Sequence, residues 1–490
     1  MSKGKNEHLF QLIHALEKSE KRYVSLFLQK NSIGEKNNYL RLFNIYSNQK
    51  NPDENKIYTK LKKDFSRNKF TVTRHYLYNL ILKALRFYHD QDSTERELQN
   101  ELREISVLFE KKLFAHCLTK TNEGFKRAEN NFLFTFLLEF CDWRLRLANV
   151  MMDLDYLQNQ RERNYQLQWD SIEGLKEQKV LQSKNYENFV LIKTQWIKKG
   201  NVLPDKIAEL KKMKAGEMKS PQAQLSYYQV LSGYYFTDGN EKQAMACLVK
   251  LNEVFEKNVE MQETHFNQYL ACLNNLTLLL LDKRDFEKAE KNISVMRQLK
   301  VRTEERSARV KERWISAALR SALFRNEMAE QETLMNEIKE FCETKKISTV
   351  YRLLFYHELS SWHFFYGNRK TAITYLNKVL NESDKSLRPD IQRSARIMNF
   401  VFHYENNNTE YIRFMLKNFK RFRWKKEEED KAEHFFFGFF TELVNAETKK
   451  VKKDIFLNLK KFIEENKKDK YISQFYLDNF DFEKWLKGKN

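Results

Sequence analysis

Glycine and proline are scarce throughout the chain, and this scarcity limits its possible folds more than any other feature. The 490 residues include 11 glycines and 4 prolines, whereas average proteins contain about 7% and 5% of these residues. An all-β protein of this length would need many turn residues with positive φ, and a Rossmann or barrel enzyme would need glycine at many strand ends. We therefore predict an all-α fold of long helices joined by short polar loops.

The four prolines agree with this prediction because each lies where a helix would begin. In the segment 51–54, Asn-Pro-Asp-Glu, asparagine can cap a helix, proline takes the first helical position and two carboxylates face the positive end of the helix dipole. All or part of the same signal recurs at Pro204, Pro221 and Pro389. The prolines therefore mark predicted helix starts.

The sequence predicts a cytoplasmic protein without a membrane span. Residues 1–8 are polar and no apolar run follows them, which argues against a secretory signal. The most apolar windows, 132–141 and 435–444, each contain a glutamate and are shorter than the roughly 18 apolar residues of a membrane helix. The five cysteines form no C-x-x-C pair, so we expect reduced core residues rather than disulfides or zinc ligands.

The chain is strongly basic, with a formal net charge of +20. Residues 1–90 hold 18 Lys and Arg against 8 Asp and Glu, so this fifth of the chain carries half of the excess. A basic N-terminal module could contact nucleic acid, an anionic lipid surface or an acidic protein, or the charge could serve solubility alone.

Apolar residues at helical spacing divide residues 1–92 into four predicted helices, near 9–27, 39–46, 57–65 and 72–88. The last of these is the most apolar, and we expect it to form the centre of a small bundle. The polar stretch 89–97 is the best candidate for a domain boundary. The predicted organisation is thus a basic helical bundle over 1–92, followed by a second domain over 97–490.

Degenerate repeats occupy much of the second domain. The clearest unit has large and small residues at regular positions, namely Tyr228, Leu231, Ser232, Tyr235, Gly239, Ala244, Leu248 and Leu251. Similar units cover 273–296 and 356–379, and a weaker one covers 398–415. The pattern resembles the tetratricopeptide repeat (TPR), in which a small residue lets two helices of a hairpin cross closely.

The small crossing positions define the predicted period of the array. They fall on Ala244, Ala289 and Ala372, with Tyr411 in the weaker unit. The long gap between the second and third positions predicts one more hairpin, between residues 314 and 341. The mean period near 40 exceeds the 34 of a regular TPR. The resemblance, clearest over 225–420, implies a TPR-like solenoid of helical hairpins.

The sequence contains no motif for catalysis or cofactor binding with the residue spacing that such a motif requires. His357 and His363 are six residues apart, whereas two metal-binding histidines on one helix face are four apart. The chain has no glycine-rich phosphate loop, dinucleotide fingerprint or nucleophile elbow. We therefore expect no cofactor, no metal and no enzymatic activity, with an enzyme using an unrecognised carboxylate site as a remote alternative.

Two further segments each allow two interpretations. Residues 419–426 interleave aromatic and basic side chains, as in a stacking platform for nucleic acid, but they also fit a helix end followed by the acidic start of the next helix. Residues 435–440 include five phenylalanines and are apolar around most of a helix. We expect this second segment to lie in the core rather than to bind a partner.

The resemblance implies a protein- or peptide-binding scaffold that uses the concave groove of the array, and the alternative is a nucleic-acid-associated protein that uses the basic N-terminal module. The first helix of each hairpin would line the groove. The predicted groove positions are Gln229, Phe236, Asn274, Leu278, His357, Ser361, Phe364, Arg393, Arg396 and His403. Because Arg393 and Arg396 lie one helical turn apart, we expect a peptide with apolar anchors and an acidic end.

Overall fold

The computed structural model describes residues 4–30, 37–49, 54–62, 66–89, 94–195, 203–301, 303–344, 346–419 and 431–467, with positions 469, 472, 473, 477, 479–487 and 489. Helices account for 85% of the described residues. No strand occurs among the described residues. The all-α prediction is confirmed.

The first helices of the chain are α1 (Gly4–Ala15), α2 (Lys18–Lys30), α3 (Asn38–Ser47), α4 (Glu54–Leu61), α5 (Arg67–Tyr88), α6 (Thr94–Glu110), α7 (Phe114–Asn130), α8 (Phe134–Val150) and α9 (Arg161–Gln195). A π-helical turn, Tyr156–Gln160, precedes α9. The next helices are α10 (Leu203–Lys211), α11 (Pro221–Thr237), α12 (Glu241–Lys257), α13 (Glu260–Thr264), α14 (Phe266–Asp282), α15 (Phe286–Gln298), α16 (Glu304–Arg325) and α17 (Met328–Glu343). The last are α18 (Thr349–Tyr366), α19 (Arg369–Leu380), α20 (Pro389–Glu405), α21 (Thr409–Phe419), α22 (Lys431–Asn445), α23 (Lys449–Asn466) and α24 (Phe482–Leu486).

The contacts divide the chain into two compact units. Unit 1 contains residues 1–179 and 218–222, and unit 2 contains residues 180–217 and 223–490. The division falls inside α9 rather than near residue 92. The predicted domain bounds 1–92 and 97–490 stay a prediction, and residues 90–93 at the predicted boundary lie outside the described residues.

Unit 1 contains two groups of buried apolar residues. One is built from α1 to α5 and runs from Leu9 to Ala84, and the other begins at Leu98 in α6 and ends at Leu147 in α8. The prediction of four helices before residue 92 was wrong, because five are described. The predicted first helix is interrupted at Glu17, whose backbone N–H donates to Glu20 Oε2 at 2.7 Å and so starts α2.

Side-chain caps explain why many of the helices begin where they do. Ser66 caps α5, Asn240 caps α12, Asp285 caps α15 and Ser348 caps α18, each accepting a hydrogen bond from a backbone N–H of the first turn. The proline signal at 51–53 lies outside the described residues. Pro389 occupies the first turn of α20, as predicted.

Several helices end in a left-handed residue, and the following N–H then bonds to the carbonyl five residues earlier. These left-handed positions are Lys112, Phe132, Met152, Gly239, Arg284, Asn326 and Asn407. The bonds from Asn240 N to Tyr235 O (2.8 Å) and from Asp285 N to Leu280 O (3.0 Å) are two of the resulting closures. Because glycine is scarce, larger residues adopt this conformation in all but one of them.

In unit 2, consecutive helices from α14 to α23 pack on one another, and α14 also packs on α16. The predicted crossing residues Ala244, Ala289 and Ala372 are all buried, whereas Tyr411 is 45% exposed. Helices α16 and α17 fill the predicted gap between residues 314 and 341. The three alanines therefore lie in the packed interior of unit 2, and the close helix crossings at these positions stay a prediction.

The phenylalanine-rich segment lies in the core, as predicted. Phe436, Phe439 and Phe440 are buried in α22, in one cluster with the C-terminal residues Phe482 and Trp485. All five cysteines are also buried and unpaired.

Candidate functional site

Three helices of unit 2 each carry a row of partly or fully exposed residues at helical spacing. In α14 the row is Gln268, Ala271, Asn275, Leu278 and Asp282. In α16 it is Arg306, Arg309, Arg313, Ser316 and Arg320, and in α18 it is Tyr351, Leu354, Glu358, Ser361 and Phe365. Residues three and four apart share one face of a helix. We call these rows together the three-helix face.

Direct contacts show that the three rows are neighbours. Arg320 Nη2 of α16 donates to Asp282 Oδ1 of α14 at 2.6 Å. The Arg313 guanidinium of α16 lies over the ring of Tyr351 of α18, 5.1 Å from its centroid. The three-helix face is therefore a continuous surface across α14, α16 and α18.

The middle helix, α16, contributes four arginines to the three-helix face. Two of them form ion pairs with carboxylates and two contact aromatic rings. Arg309 is bound to Glu305 at 2.6 Å, and Arg320 to Asp282. Arg306 and Arg313 instead contact aromatic rings, and the described residues place no carboxylate within ion-pairing distance of either. Two guanidinium groups thus keep hydrogen-bonding capacity for a negatively charged group.

Glu358 is the unusual member of the α18 row. Its half-buried carboxyl group forms no hydrogen bond and no ion pair with any described residue. Burial raises the pKa of Glu358 to about 7, although the positive charges of Arg388 and Arg320 act in the opposite direction. Near neutral pH this group can therefore either donate or accept a hydrogen bond.

Arg388, one of the two arginines whose charge acts on Glu358, lies immediately before α20. Its guanidinium donates to Asp390 through Nε at 3.0 Å and through Nη2 at 2.6 Å. Burial acts to raise the pKa of Asp390, but the hydrogen bonds and charge of Arg388 outweigh it and lower that pKa. Arg388 has a φ of 47°, in the left-handed region that costs energy for a non-glycine residue.

Two predicted groove residues are buried and do not face solvent. Asn274 is 4% exposed, and its side chain bonds to that of Asn275 at 3.3 Å. His357 is fully buried, and its Nε2 lies 2.9 Å from Ser394 Oγ in α20. Burial, together with the charge of Arg388, lowers the pKa of His357 to about 4. The prediction that they line an open groove was wrong, because the adjacent helix covers this side of α18 at His357.

Four other predicted residues lie at the surface of α11, α14 and α18. Leu278 and Ser361 belong to the three-helix face. Gln229 bonds to Asn185 of α9 at 3.5 Å, so α9 borders this part of α11. Phe236, at the end of α11, is 52% exposed.

The remaining predicted residues lie toward the end of the array. Phe364 stacks on Phe402 of α20, with 4.2 Å between the ring centroids. Arg393, Arg396 and His403 form a partly exposed row on α20. The rings of His403 and Tyr411 lie 4.2 Å apart, so the His403 end of this row borders α21.

Sequence reasoning missed the arginine row of α16 and missed Glu358. The arginine spacing was visible in the sequence, but this hairpin was predicted only from a gap between repeats, so no groove positions were assigned to it. Glu358 follows His357 directly, and neighbouring residues on a helix point about 100° apart. The prediction of His357 as a groove residue therefore missed the exposed residue by one position, and that one position moves the side chain to a different face of α18.

The described residues show no grouping of three or more His, Cys, Asp or Glu side chains suited to a metal ion. None of the described helices combines the length and apolarity needed to cross a bilayer. Residues 420–426 of the predicted nucleic-acid segment lie outside the described residues.

Comparison of the chain with protein-family models, curated proteins and solved structures gave no match in any of the three.

Proposed function

We propose that unit 2 is a TPR-like array of helical hairpins and that its three-helix face binds an extended polypeptide segment carrying carboxylates. The observation that carries this proposal is the row of four arginines on α16, of which Arg306 and Arg313 contact rings rather than carboxylates. An acidic segment lying along α16 would supply the missing partners through charge-assisted hydrogen bonds.

Contacts between helices two apart in the chain support the repeat. Asp282 and Arg320, which are bonded, are 38 positions apart. The same separation relates Arg313 to Tyr351, and Phe364 to Phe402. Other contacts between helices two apart have nearby separations, 37 for His357 and Ser394 and 40 for Phe266 and Arg306. An offset near 38 between equivalent positions is expected of stacked, similar hairpins. The period is longer than in a regular TPR, in agreement with the spacing of the crossing alanines.

The other two helices supply complementary groups for a peptide backbone. Gln268 and Asn275 in the α14 row can each donate and accept hydrogen bonds. Glu358 in the α18 row has unused capacity and can accept from a peptide N–H or from a lysine side chain. Leu278 and Leu354 offer apolar contact between these polar groups. An extended peptide needs this mixture of backbone partners and side-chain anchors.

The experiment is selection from a displayed library of short random peptides on the full chain, followed by affinity measurement on two variants. Arg313→Gln removes an arginine of the three-helix face that lies over one aromatic ring. Arg297→Gln is the matched control, because Arg297 lies 4.5 Å from the ring centroid of Trp314 but belongs to α15, outside the face.

Selected peptides should be enriched in Asp and Glu. Arg313→Gln should weaken their binding about tenfold, the effect of losing one charge-assisted bond, and Arg297→Gln should leave it within about twofold. Peptides without acidic enrichment, or equal losses in the two variants, would refute the proposed site.

A further inference from the structure

The helix α23 of unit 2 has a buried apolar side and an exposed, lysine-rich side. Its buried residues are Ile455, Phe456, Leu459 and Ile463. Its exposed lysines are Lys449, Lys450, Lys453, Lys460 and Lys461. At about 100° per residue, these lysines and Leu457 fall within roughly one third of the helix circumference. We call these five lysines and Leu457 together the lysine face.

The positive charge of the lysine face is largely unpaired. Its first four lysines form no ion pair and no side-chain hydrogen bond with any described residue. Lys461 lies 3.8 Å from Glu465, and both side chains are exposed. Asp454 borders the face and Glu464 follows Leu457 two turns later, but neither forms an ion pair with a described residue. The face therefore keeps an excess of positive charge.

The start of α23 concentrates this charge where a helix tolerates it least. Four of the first five residues are lysines, and the first turn contains no acidic residue. The amino end of a helix carries the positive end of the helix dipole, so carboxylates stabilise it and cations do not. The cap is neutral, because the Thr448 hydroxyl accepts from the backbone N–H of Val451 at 3.3 Å. A negatively charged surface would balance charges that the described residues leave unbalanced.

The side chains of the lysine face favour a lipid surface over a polynucleotide. The face contains neither arginine, which binds phosphate through paired hydrogen bonds, nor an aromatic ring on which a base could stack. Instead it contains Leu457, which is 48% exposed. A helix that lies on a bilayer places its cations among the headgroups and its apolar side chains at the acyl boundary. Clusters of four or more lysines on a helix are typical of binding to anionic lipids.

We propose that the lysine face of α23 docks unit 2 onto the surface of a bilayer that contains anionic lipids. The lysines contact the headgroups, and Leu457 reaches the acyl boundary. Such binding is peripheral and needs no membrane-spanning helix. It does not depend on peptide binding by the three-helix face, so either proposal can fail without the other.

The test is cosedimentation of the full chain with vesicles of phosphatidylcholine alone and with vesicles that contain roughly 30% phosphatidylserine. The site variant is Lys449→Gln/Lys450→Gln/Lys453→Gln. The control is Lys242→Gln/Lys257→Gln/Lys291→Gln, which removes the same charge from exposed lysines of α12 and α15. All six lysines are exposed, so both variants should keep the helix content of the wild type.

The wild type should bind the anionic vesicles at least about tenfold more tightly than the neutral ones. The site variant should lose at least about tenfold of this affinity, and the control less than about twofold. Added salt should weaken binding of the wild type, because it screens exposed charges. Leu457→Ala should weaken it about threefold, since the shorter side chain buries less apolar surface.

Equal affinity of the wild type for the two kinds of vesicle would overturn the proposal, and so would equal losses in the site variant and the control. A single-stranded oligonucleotide is the competing probe, measured by fluorescence anisotropy. If it binds more tightly than the anionic vesicles and is lost in the site variant, the lysine face serves a polynucleotide and the lipid assignment is wrong.

Discussion

Replacing Glu358 by glutamine should change the pH dependence of stability in a defined direction. The folded-state pKa of this carboxyl is about 7, raised from 4.5 mainly by burial. Because its pKa is higher in the folded state, the folded state binds the proton more tightly than the unfolded state. The stabilisation is therefore fully present below about pH 4.5 and is lost as the pH rises through about 7.

The size of the effect follows from the pKa difference and the exposure of the side chain. A fully buried group with this difference would destabilise the folded protein at high pH by about 3 kcal/mol relative to low pH. Glu358 is only half-buried, and solvent screening reduces the expected effect to about 1–2 kcal/mol. Glutamine has nearly the same shape but cannot ionise. Glu358→Gln should therefore stabilise unit 2 by about 1–2 kcal/mol above about pH 8 and change it little near pH 5.

Differential scanning calorimetry of wild type and variant across this range measures the difference directly. Hydrogen exchange of peptides from α18 assigns the change to this helix, which matters because a chain with two units need not unfold in one step. The control is Glu332→Gln, at an exposed glutamate of α17. A variant that is as stable as the wild type at both pH values would refute the reasoning, and so would stabilisation confined to low pH.

Four other substitutions test the packing of two glycines, the strain of one left-handed residue and the burial of one histidine. A Cβ added at Gly124 would lie 2.4 Å from the ring of the buried Phe140, whereas one at Gly438 would have no atom within 4 Å. In denaturant titrations, Gly124→Ala should therefore lower the free energy of unfolding by about 1–2 kcal/mol. Gly438→Ala should raise it by up to about 1 kcal/mol. Lys112→Gly should raise the melting temperature, since it removes the strain of a φ of 61° worth about 1 kcal/mol; a lower melting temperature would contradict this. The folded-state pKa of His357 is lowered from 6.5 to about 4, so the wild type should lose stability as the pH falls through this window, and His357→Gln should lose less in the same acid titration.

The sequence by itself determined the fold class and much of the local structure. Few glycines and prolines exclude frequent turns, so the chain had to form long helices. Alanine at 244, 289 and 372 and three of the phenylalanines of 435–440 are buried, as small residues at regular spacing and a helix that is apolar around most of its surface indicate. These features depend on residues near one another in the chain, and periodicity records them directly.

Only the tertiary structure decided which helix faces remain open. Periodicity shows which residues share a face, but a neighbouring helix decides whether that face meets solvent. His357 is enclosed by its contact with Ser394, while Glu358, the next residue, stays on the partly exposed row. Likewise, Arg313 and Tyr351 lie on different helices, 38 positions apart, and they meet only in the folded structure. Sites made by the packing of separate helices depend on long-range contacts that no local pattern encodes.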